Sequence, residues 1–322
     1  MNSSNGTTFR ELLQASFKSN DTEEWLDVHF TRPIGLVFAL FWNRFGVHPN
    51  VITILSIFLG IAAGYMFVFT DLWHNLAGVV LLMFANFCDS TDGQLARLTG
   101  KKTLIGRVLD GFSGDLWFFA IYLAIALRLF AEPVPFLGGV NWGWSIVVLC
   151  CIAGFLCHSP QSSLADYYRQ IHLYFLLGKK GSELDDSESQ RTIYDSMPWK
   201  GNFWAKMFYI NYSNYCRSQE KRTPEFQKLY KTVRQRWPNA DDMPQPLRDE
   251  FRRLSLPLMK YTSLLTFNSR AILTYITCLA NVPYVYPLVE MTVFVVMYRH
   301  MHSSHEAFCK KLNDNKNEHH SF

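Results

Sequence analysis

The sequence predicts an all-α integral membrane protein, a six-transmembrane-helix bundle with an N-terminal interfacial amphipathic helix and a polar helical cytoplasmic insert. Two observations predict this fold. Only 18% of the 322 residues are charged, against about 25% in an average soluble domain, and 49% are hydrophobic. The charges are also concentrated, since residues 179–255 hold 15 Lys and Arg and 11 Asp and Glu, the whole formal excess of +4. The remainder is strongly apolar, which argues against disorder and against a nucleic-acid-binding protein.

Six apolar stretches are long enough to cross the membrane, which takes about 20 helical residues for roughly 30 Å of hydrocarbon. They lie near residues 51–69, 75–91, 104–130, 140–160, 256–281 and 284–300, and the fourth helix is expected to continue to about residue 177.

The stretch before the first span predicts an amphipathic helix. Apolar residues from Ile34 to Phe45 accompany Arg32, Asn43 and Arg44, a pattern suited to lying in the membrane interface. The predicted organisation is therefore an N-terminus with an interfacial helix, spans 1–4, the insert, and spans 5–6 with a tail, over residues 1–48, 49–178, 179–255 and 256–322.

The distribution of basic residues predicts the topology. Turns 2–3 and 4–5 and the C-terminal tail are basic, whereas the other turns carry almost no Lys or Arg. Both termini should then be cytoplasmic, and the insert, with its charges and aromatic residues, should be helical. Arg128, near the outer end of the third span, is discordant and is expected to snorkel to the surface.

Four acids at the cytoplasmic ends of the second and third spans are the informative anomaly. They are Asp89, Asp92, Asp110 and Asp115. Because an acid in a membrane segment costs about 2.5 to 3.5 kcal/mol, four of them together need a partner. Asp89 and Asp92 share a helical face, and oxygen-only ligands suit Mg²⁺ or Mn²⁺. The alternative is that these acids pair with neighbouring basic residues and only pin the hairpin.

Small residues alternate with the acids. Gly93 follows Asp92 and Gly106 precedes Asp110 by one turn, so that backbone or ligand could come close. Ala96 fits the same interpretation, and Arg97 could meet a phosphate. Helix packing alone is the competing explanation for the glycines.

These residues resemble the signature of the CDP-alcohol phosphatidyltransferases, D-x2-D-G-x2-A-R-x8-G-x3-D-x3-D. The match runs from Asp89 through Asp92-Gly93, Ala96-Arg97 and Gly106 to Asp110. The entry to the first span, Pro49-Asn50-x2-Thr53, resembles the family's P-N-x2-T. The resemblance covers roughly residues 32–178 and 256–300, and the insert lies outside it.

The resemblance implies transfer of a phosphatidyl-type group from a CDP-linked donor, CDP-diacylglycerol, to an alcohol, with release of CMP. Two Mg²⁺ or Mn²⁺ ions would be held by Asp89, Asp92, Asp110 and Asp115, and Asp115 would also be the general base. The nucleotide-binding candidates are Asn50, Thr53, Gly93, Ala96, Arg97 and Gly106.

The sequence departs from the family at the fourth acid. The family places this Asp four residues after the third, where this chain has Gly114, and the acid here is Asp115. In a helix, five residues turn a side chain about 140° away from the first. Asp115 can face the metals only if the helix accommodates one extra residue, and we expect a π-bulge, which Gly111 and Gly114 would make easier to form.

Three arginines are candidates for binding the acceptor: Arg107, Arg169 and Arg270. Arg169 belongs to a polar run that begins at His158 late in the fourth span, and Arg270 interrupts the fifth span. Intramembrane polar groups should face a cavity. The leading acceptor is inositol phosphate or another polyol phosphate. Glycerol phosphate, inositol, serine, and a diacylglycerol acceptor with a CDP-choline or CDP-ethanolamine donor stay open.

Two other classes of protein compete with the enzyme. A divalent-cation transporter or channel would carry its acids across the bilayer, whereas these cluster at the cytoplasmic side and the outer halves of the spans are expected to carry none. A catalytically silent homologue that binds CDP-lipid is the other. An N-terminus with no targeting feature favours a bacterial inner membrane, and the resemblance suggests a homodimer.

Overall fold

Every secondary-structure element in the described part of the chain is helical, which confirms the predicted all-α class. The structure is a computed structural model that describes residues 8–17, 19–101, 103–135 and 137–318. Short π-helical segments occur at Asp27–Thr31, Ile152–His158 and Glu290–Phe294, and 3₁₀ turns at Lys179–Gly181 and Ala240–Asp242. The α-helices are α1 (Phe9–Ser16), α2 (Arg32–Arg44), α3 (Pro49–Met66), α4 (Leu72–Thr99), α5 (Leu104–Leu129), α6 (Trp144–Cys151), α7 (Ser159–Leu177), α8 (Ser187–Ser196), α9 (Phe203–Arg222), α10 (Pro224–Arg236), α11 (Gln245–Leu264), α12 (Phe267–Leu279), α13 (Val285–Val289) and α14 (Val295–Glu318).

The chain divides into two compact units. The first comprises Met1–Ser159 and Phe267–Thr292, and the second Pro160–Thr266 and Val293–Phe322. The predicted division at residues 48, 178 and 255 follows membrane topology, and it stays a prediction.

Within the part of the chain that the structure describes, four helices are long and apolar enough to cross a membrane: Pro49–Met66, Leu72–Thr99, Leu109–Leu129 and the continuous helix Trp144–Leu177. They coincide with the first four predicted spans. The fifth predicted span is divided, since α11 ends at Leu264 and α12 begins at Phe267. The count of six spans therefore stays a prediction.

In the first unit, α3 packs closely on both α4 and α5. A Cβ atom at Gly60 would overlap the indole of Trp117, and one at Gly64 would lie 2.7 Å from the Cβ of Ala120. Small residues allow helix backbones to approach each other in membranes, where packing drives association. This contact fixes α5, which carries the second half of the motif, against α3.

A short turn joins α4 to α5 and brings the acid-bearing ends of both helices together. Gly100 ends α4 with a φ of +68°, a left-handed conformation that glycine adopts without strain. Thr103 begins α5, and its hydroxyl accepts a hydrogen bond from the Gly106 N–H at 3.0 Å.

The segment for which an interfacial amphipathic helix is predicted forms α2, which packs on α4. Leu36 and Ala39 are buried, while Val37, Phe41 and Phe45 are exposed. The Nε2 of Gln94 donates a hydrogen bond to the Arg32 carbonyl at 3.0 Å, which ties the start of α2 to α4. The placement of this helix in the membrane interface stays a prediction.

Arg128 does not snorkel, and the expectation that it reaches the surface is wrong. Its side chain is buried, with Nη1 donating to Phe67 O at 3.2 Å and Asn75 Oδ1 at 2.9 Å. Nη2 donates to Asn281 Oδ1 at 2.7 Å and lies 3.5 Å from Cys278 O. The cation therefore satisfies carbonyls at the C-terminal ends of α3 and α12, where the helix dipole favours positive charge.

The second unit contains the insert, whose predicted helices are confirmed as α8, α9 and α10. Its core is aromatic, with the rings of Phe175 and Phe251 stacked at 3.7 Å and Phe226 fully buried. His305 of α14 is buried in the same core and stacks on Tyr168 at 3.9 Å.

Candidate active site

Three of the four predicted acids come together where α4 meets α5. One carboxylate oxygen each from Asp89, Asp92 and Asp110 lies within 4.8 Å of the others. The i, i+3 spacing puts Asp89 and Asp92 on one face of α4, and Asp110 approaches from the first turns of α5. Asp92 is buried, Asp89 half-buried and Asp110 exposed, so the cluster is open on its α5 side.

Two hydroxyl groups support the acids. The Ser113 Oγ lies 2.9 Å from Asp89 Oδ1 and 2.7 Å from the Asp110 carbonyl. The Thr53 hydroxyl donates to the Pro49 carbonyl at 3.3 Å and lies near the Asp92 carboxylate. Thr53 was predicted as a nucleotide contact, whereas Ser113 was missed, although its position one turn after Asp110 on the same helix was a usable signal.

The three acids fit a divalent cation. Oδ2 of Asp92 is buried and has no hydrogen-bond partner, an arrangement that is costly unless a ligand satisfies it. Among the described residues, neither Asp89 nor Asp92 forms a salt bridge with a basic side chain. The donors are all oxygens, as hard divalent cations prefer. The side chains of Lys102 and Arg107, two of the basic residues nearest to the acids in sequence, lie outside the residues that the structure describes.

Asp115 lies apart from the cluster, and the expected π-bulge is wrong. All of Leu104–Leu129 is a regular α-helix, so Asp115 is turned about 140° from Asp110. Its side chain is exposed and borders an apolar cavity of about 500 Å³. The same cavity is lined by Phe112, Phe119, Tyr122, Leu123, Phe155 and His158. The predicted roles of Asp115 as a metal ligand and general base required its side chain to face the other three acids, and it does not.

The small residues of the motif are placed for close approach. A Cβ at Gly106 would lie 2.7 Å from Asn50 Oδ1, the atom that Thr103 Oγ1 approaches to 3.3 Å. Beside Gly93 the space is open, since an added Cβ would meet only the Arg97 Nη1 at 3.8 Å. The structure thus brings Asn50 to Gly106 and leaves room next to Gly93. Ala96 is half-buried on the same helix.

The three predicted acceptor arginines belong to different parts of the structure. The side chain of Arg107 lies outside the residues that the structure describes. Arg169 belongs to α7 in the second unit. Arg270 does contact an anion, but that anion is Glu290, through Nε to Oε2 at 3.0 Å and Nη2 to Oε1 at 2.8 Å. Both side chains are fully buried, which corrects the prediction that Arg270 faces an acceptor.

Glu290 was missed by the sequence analysis and contradicts its expectation that the outer halves of the spans carry no acid. The signal was an acid inside the sixth apolar stretch. His158 Nδ1 lies 3.9 Å from Glu290 Oε2 and 3.5 Å from the hydroxyls of Tyr122 and Tyr286. Because Arg270 neutralises Glu290, this acid serves a buried ion pair and gives no support to an ion pathway.

A second group of acids, also missed, lies beside the cluster on the N-terminal segment. The Nδ2 of Asn268 donates to Glu24 Oε2 at 2.8 Å and to Asp27 Oδ1 at 3.1 Å. Arg32 pairs with Glu23 at 2.8 Å. The signal was the density of acids ahead of α2 in the sequence.

Comparison with known proteins agrees with the motif. Residues 46–161 match the model of the family described as CDP-alcohol phosphatidyltransferase. An archaetidylinositol phosphate synthase of Pyrococcus horikoshii is 38% identical over 82 residues, which are 26% of this chain and 42% of that protein. A protein of Aquifex aeolicus described as uncharacterized is 34% identical over 85 residues, 25% of this chain and 42% of that protein. The chain thus spans less than half the length of these relatives. No solved structure matches.

Proposed function

The chain belongs to the CDP-alcohol phosphatidyltransferase family, and on that premise we propose that it transfers a phosphatidyl group from CDP-diacylglycerol to a polar alcohol, with release of CMP. Our leading acceptor is inositol phosphate or another polyol phosphate. The relative from P. horikoshii supports this acceptor class through its name, an inositol phosphate lipid synthase.

The observation that carries the proposal is the group of Asp89, Asp92 and Asp110, with the unpartnered buried oxygen of Asp92. We propose that these three carboxylates hold two divalent cations, Mg²⁺ or Mn²⁺. Such ions neutralise the charge that develops on a transferring phosphoryl group.

The residues of the chain would then bind and orient the donor. The open space beside Gly93 accommodates part of the nucleotide, and Arg97, whose guanidinium borders that space, faces a phosphate. Asn50 would contact the nucleotide from α3, at a position fixed by Thr103 and Gly106. The acceptor hydroxyl oxygen attacks phosphorus and gives its proton to a base, the bond from phosphorus to the CMP oxygen breaks, and CMP leaves with that electron pair.

The membrane arrangement belongs to the same proposal. Six spans, with both termini and the insert on the cytoplasmic side of a bacterial inner membrane, would put the acids at the cytoplasmic surface, where a nucleotide is available. The four apolar helices and the basic turns support this arrangement. A homodimer is the proposed oligomeric state.

A catalytically silent, CDP-lipid-binding homologue is the second candidate. One observation favours it: Gly114 occupies the position of the family's fourth acid, and Asp115 faces the apolar cavity. In that case the protein would bind CDP-diacylglycerol and a divalent cation without turnover.

One assay separates these candidates and identifies the acceptor. Purified full-length protein in lipid nanodiscs is incubated with CDP-diacylglycerol, Mg²⁺ and, in turn, inositol phosphate, glycerol phosphate, inositol and serine, and separately with diacylglycerol and CDP-choline or CDP-ethanolamine. We expect CMP release and a new phospholipid, measured by chromatography and mass spectrometry, with inositol phosphate. Asp92→Asn should abolish both, and so should chelation of the metal.

Binding of CDP-diacylglycerol without CMP release in any combination would contradict the enzymatic proposal and favour the silent homologue. CMP release only with diacylglycerol and CDP-choline or CDP-ethanolamine would correct the donor and the acceptor.

A further inference from the structure

A small polar cavity separates the N-terminal segment from α4, next to the acid cluster. Its volume is about 220 Å³, and its walls include Asp27 and Arg32 on one side and Asp89, Gly93 and Arg97 on the other. Asp89 is therefore shared between the acid cluster and this cavity. A ligand bound at the cluster would therefore lie next to this cavity.

Asp27 is held at the wall of the cavity by contacts on the first unit. It is the first residue of the π-helical segment Asp27–Thr31, and Asn268 donates a hydrogen bond to its Oδ1 at 3.1 Å. π-Helical segments are frequent at functional sites because they re-aim side chains. Its carboxylate is near enough to interact electrostatically with that of Asp89.

The segment that carries Asp27 is tied to α4. Gln94 Nε2 donates to the Arg32 carbonyl at 3.0 Å. A Cβ at Gly35 would lie 2.6 Å from Ser90 Oγ, so α2 and α4 are in direct contact there. The position of Asp27 relative to the cluster is therefore set by the packing of α2 on α4.

We propose that Asp27 is the general base that takes the proton of the acceptor hydroxyl, the role that the family resemblance gives to the acid at position 114, here Gly114. This assignment rests on the proposed function. The acceptor O–H bond breaks as its oxygen bonds to phosphorus, the proton passes to the Asp27 carboxylate, and CMP leaves with the electron pair of the broken P–O bond.

The neighbouring acids are less suited to this role. Glu24 shares Asn268 with Asp27 but does not line the cavity. Asp115 borders an apolar cavity instead of this polar one. Among the described residues, Asp27 is thus the acid outside the cluster that lines the same polar cavity as Asp89.

The test compares Asp27→Asn with the conservative Asp27→Glu and with Glu24→Gln, a matched control that alters the other acid bonded to Asn268. Full-length variants in nanodiscs are assayed for CMP release with the acceptor that the wild-type protein uses. We expect Asp27→Asn to lower kcat by about 100-fold or more, the usual contribution of a general base, with KM for CDP-diacylglycerol changed less than about threefold. Mn²⁺ binding, followed by electron paramagnetic resonance, should be unchanged.

Asp27→Glu should recover part of kcat, which a merely structural role for Asp27 does not predict, and Glu24→Gln should stay close to the wild-type protein. The proposal is overturned if Asp27→Asn keeps its kcat, if it loses Mn²⁺ or CDP-diacylglycerol binding together with kcat, or if only Asp115→Asn lowers kcat. Absence of CMP release by the wild-type protein would instead overturn the proposed function, and the base assignment with it.

Discussion

At the scale of single residues, Gly106 is the glycine of the motif that leaves less room for an added side chain than Gly93 does. A methyl group there would lie 2.7 Å from Asn50 Oδ1 and 3.0 Å from Thr103 Oγ1. Because Asn50 is short, it must rotate away rather than adjust slightly. We expect Gly106→Ala to raise the KM for CDP-diacylglycerol several-fold while kcat changes less, measured in the CMP-release assay.

Gly111 provides the control on the same helix. An added Cβ there meets nothing within 4 Å, so Gly111→Ala should leave the KM unchanged. Alanine is a better helix former than glycine by about 1 kcal/mol, so this variant should be equally or more stable to heat. Equal KM values for both variants would show that Asn50 does not contact the nucleotide.

The residue scale also shows what the sequence could and could not predict. Asp89, Asp92 and Asp110 were predictable because fixed helical spacing places them on adjoining faces. Asp115 was not, since its orientation depended on a bulge that one sequence cannot establish, and the structure has a regular helix. Asp27 was missed because its approach to Asp89 depends on how the N-terminal segment packs on α4, a contact between residues about 60 positions apart.

At the scale of helices, Arg128 connects the ends of three elements of the first unit. Its guanidinium contacts Phe67 O after α3, Asn75 on α4 and Asn281 after α12. Arg128→Met keeps an unbranched apolar stem but leaves these acceptors without a donor. Losing charge-assisted hydrogen bonds costs about 1.5 to 3 kcal/mol each, so the Tm should fall by roughly 5 °C or more.

The matched control is Arg44→Met, at the exposed end of α2. It removes the same charge from the surface and should leave the Tm nearly unchanged. Differential scanning fluorimetry of both variants in one detergent gives the comparison. Equal melting temperatures would mean that Arg128 contributes no net stability to the first unit.

The positions of the helices were largely predictable, because a long apolar segment satisfies the hydrogen bonds of its own backbone most simply as a helix. The break between Leu264 and Phe267 was not, since the sequence there is still apolar. The pairing of Arg270 with Glu290 was also hidden. The two residues are 20 positions apart on different helices, and only the fold shows that each neutralises the other.

At the scale of the whole molecule, the second unit has a core whose stability should depend on pH. His305 is buried among aromatic rings, with Tyr168 stacked on it at 3.9 Å, and its Nε2 has no hydrogen-bond partner. Burial lowers the pKa of His305 below its ordinary value, and Glu306, 3.8 Å away, only partly opposes this shift. Below about pH 6.5, the unfolded state then binds a proton that the folded state excludes, so the second unit should lose stability as pH falls.

His305→Phe tests this dependence, because it keeps an aromatic ring on Tyr168 and removes the titrating group. At pH 7.5 the variant should be about as stable as the wild-type protein. It removes the buried Nε2, which has no hydrogen-bond partner, and it loses only a weak contact between His305 Nδ1 and Cys309 Sγ at 3.6 Å. Between pH 7.5 and pH 5.5, its Tm should fall less than that of the wild-type protein. Limited proteolysis of the insert over the same range assigns the change to the second unit. If the two proteins lose stability in parallel, the carboxylates control the acid sensitivity and His305 does not.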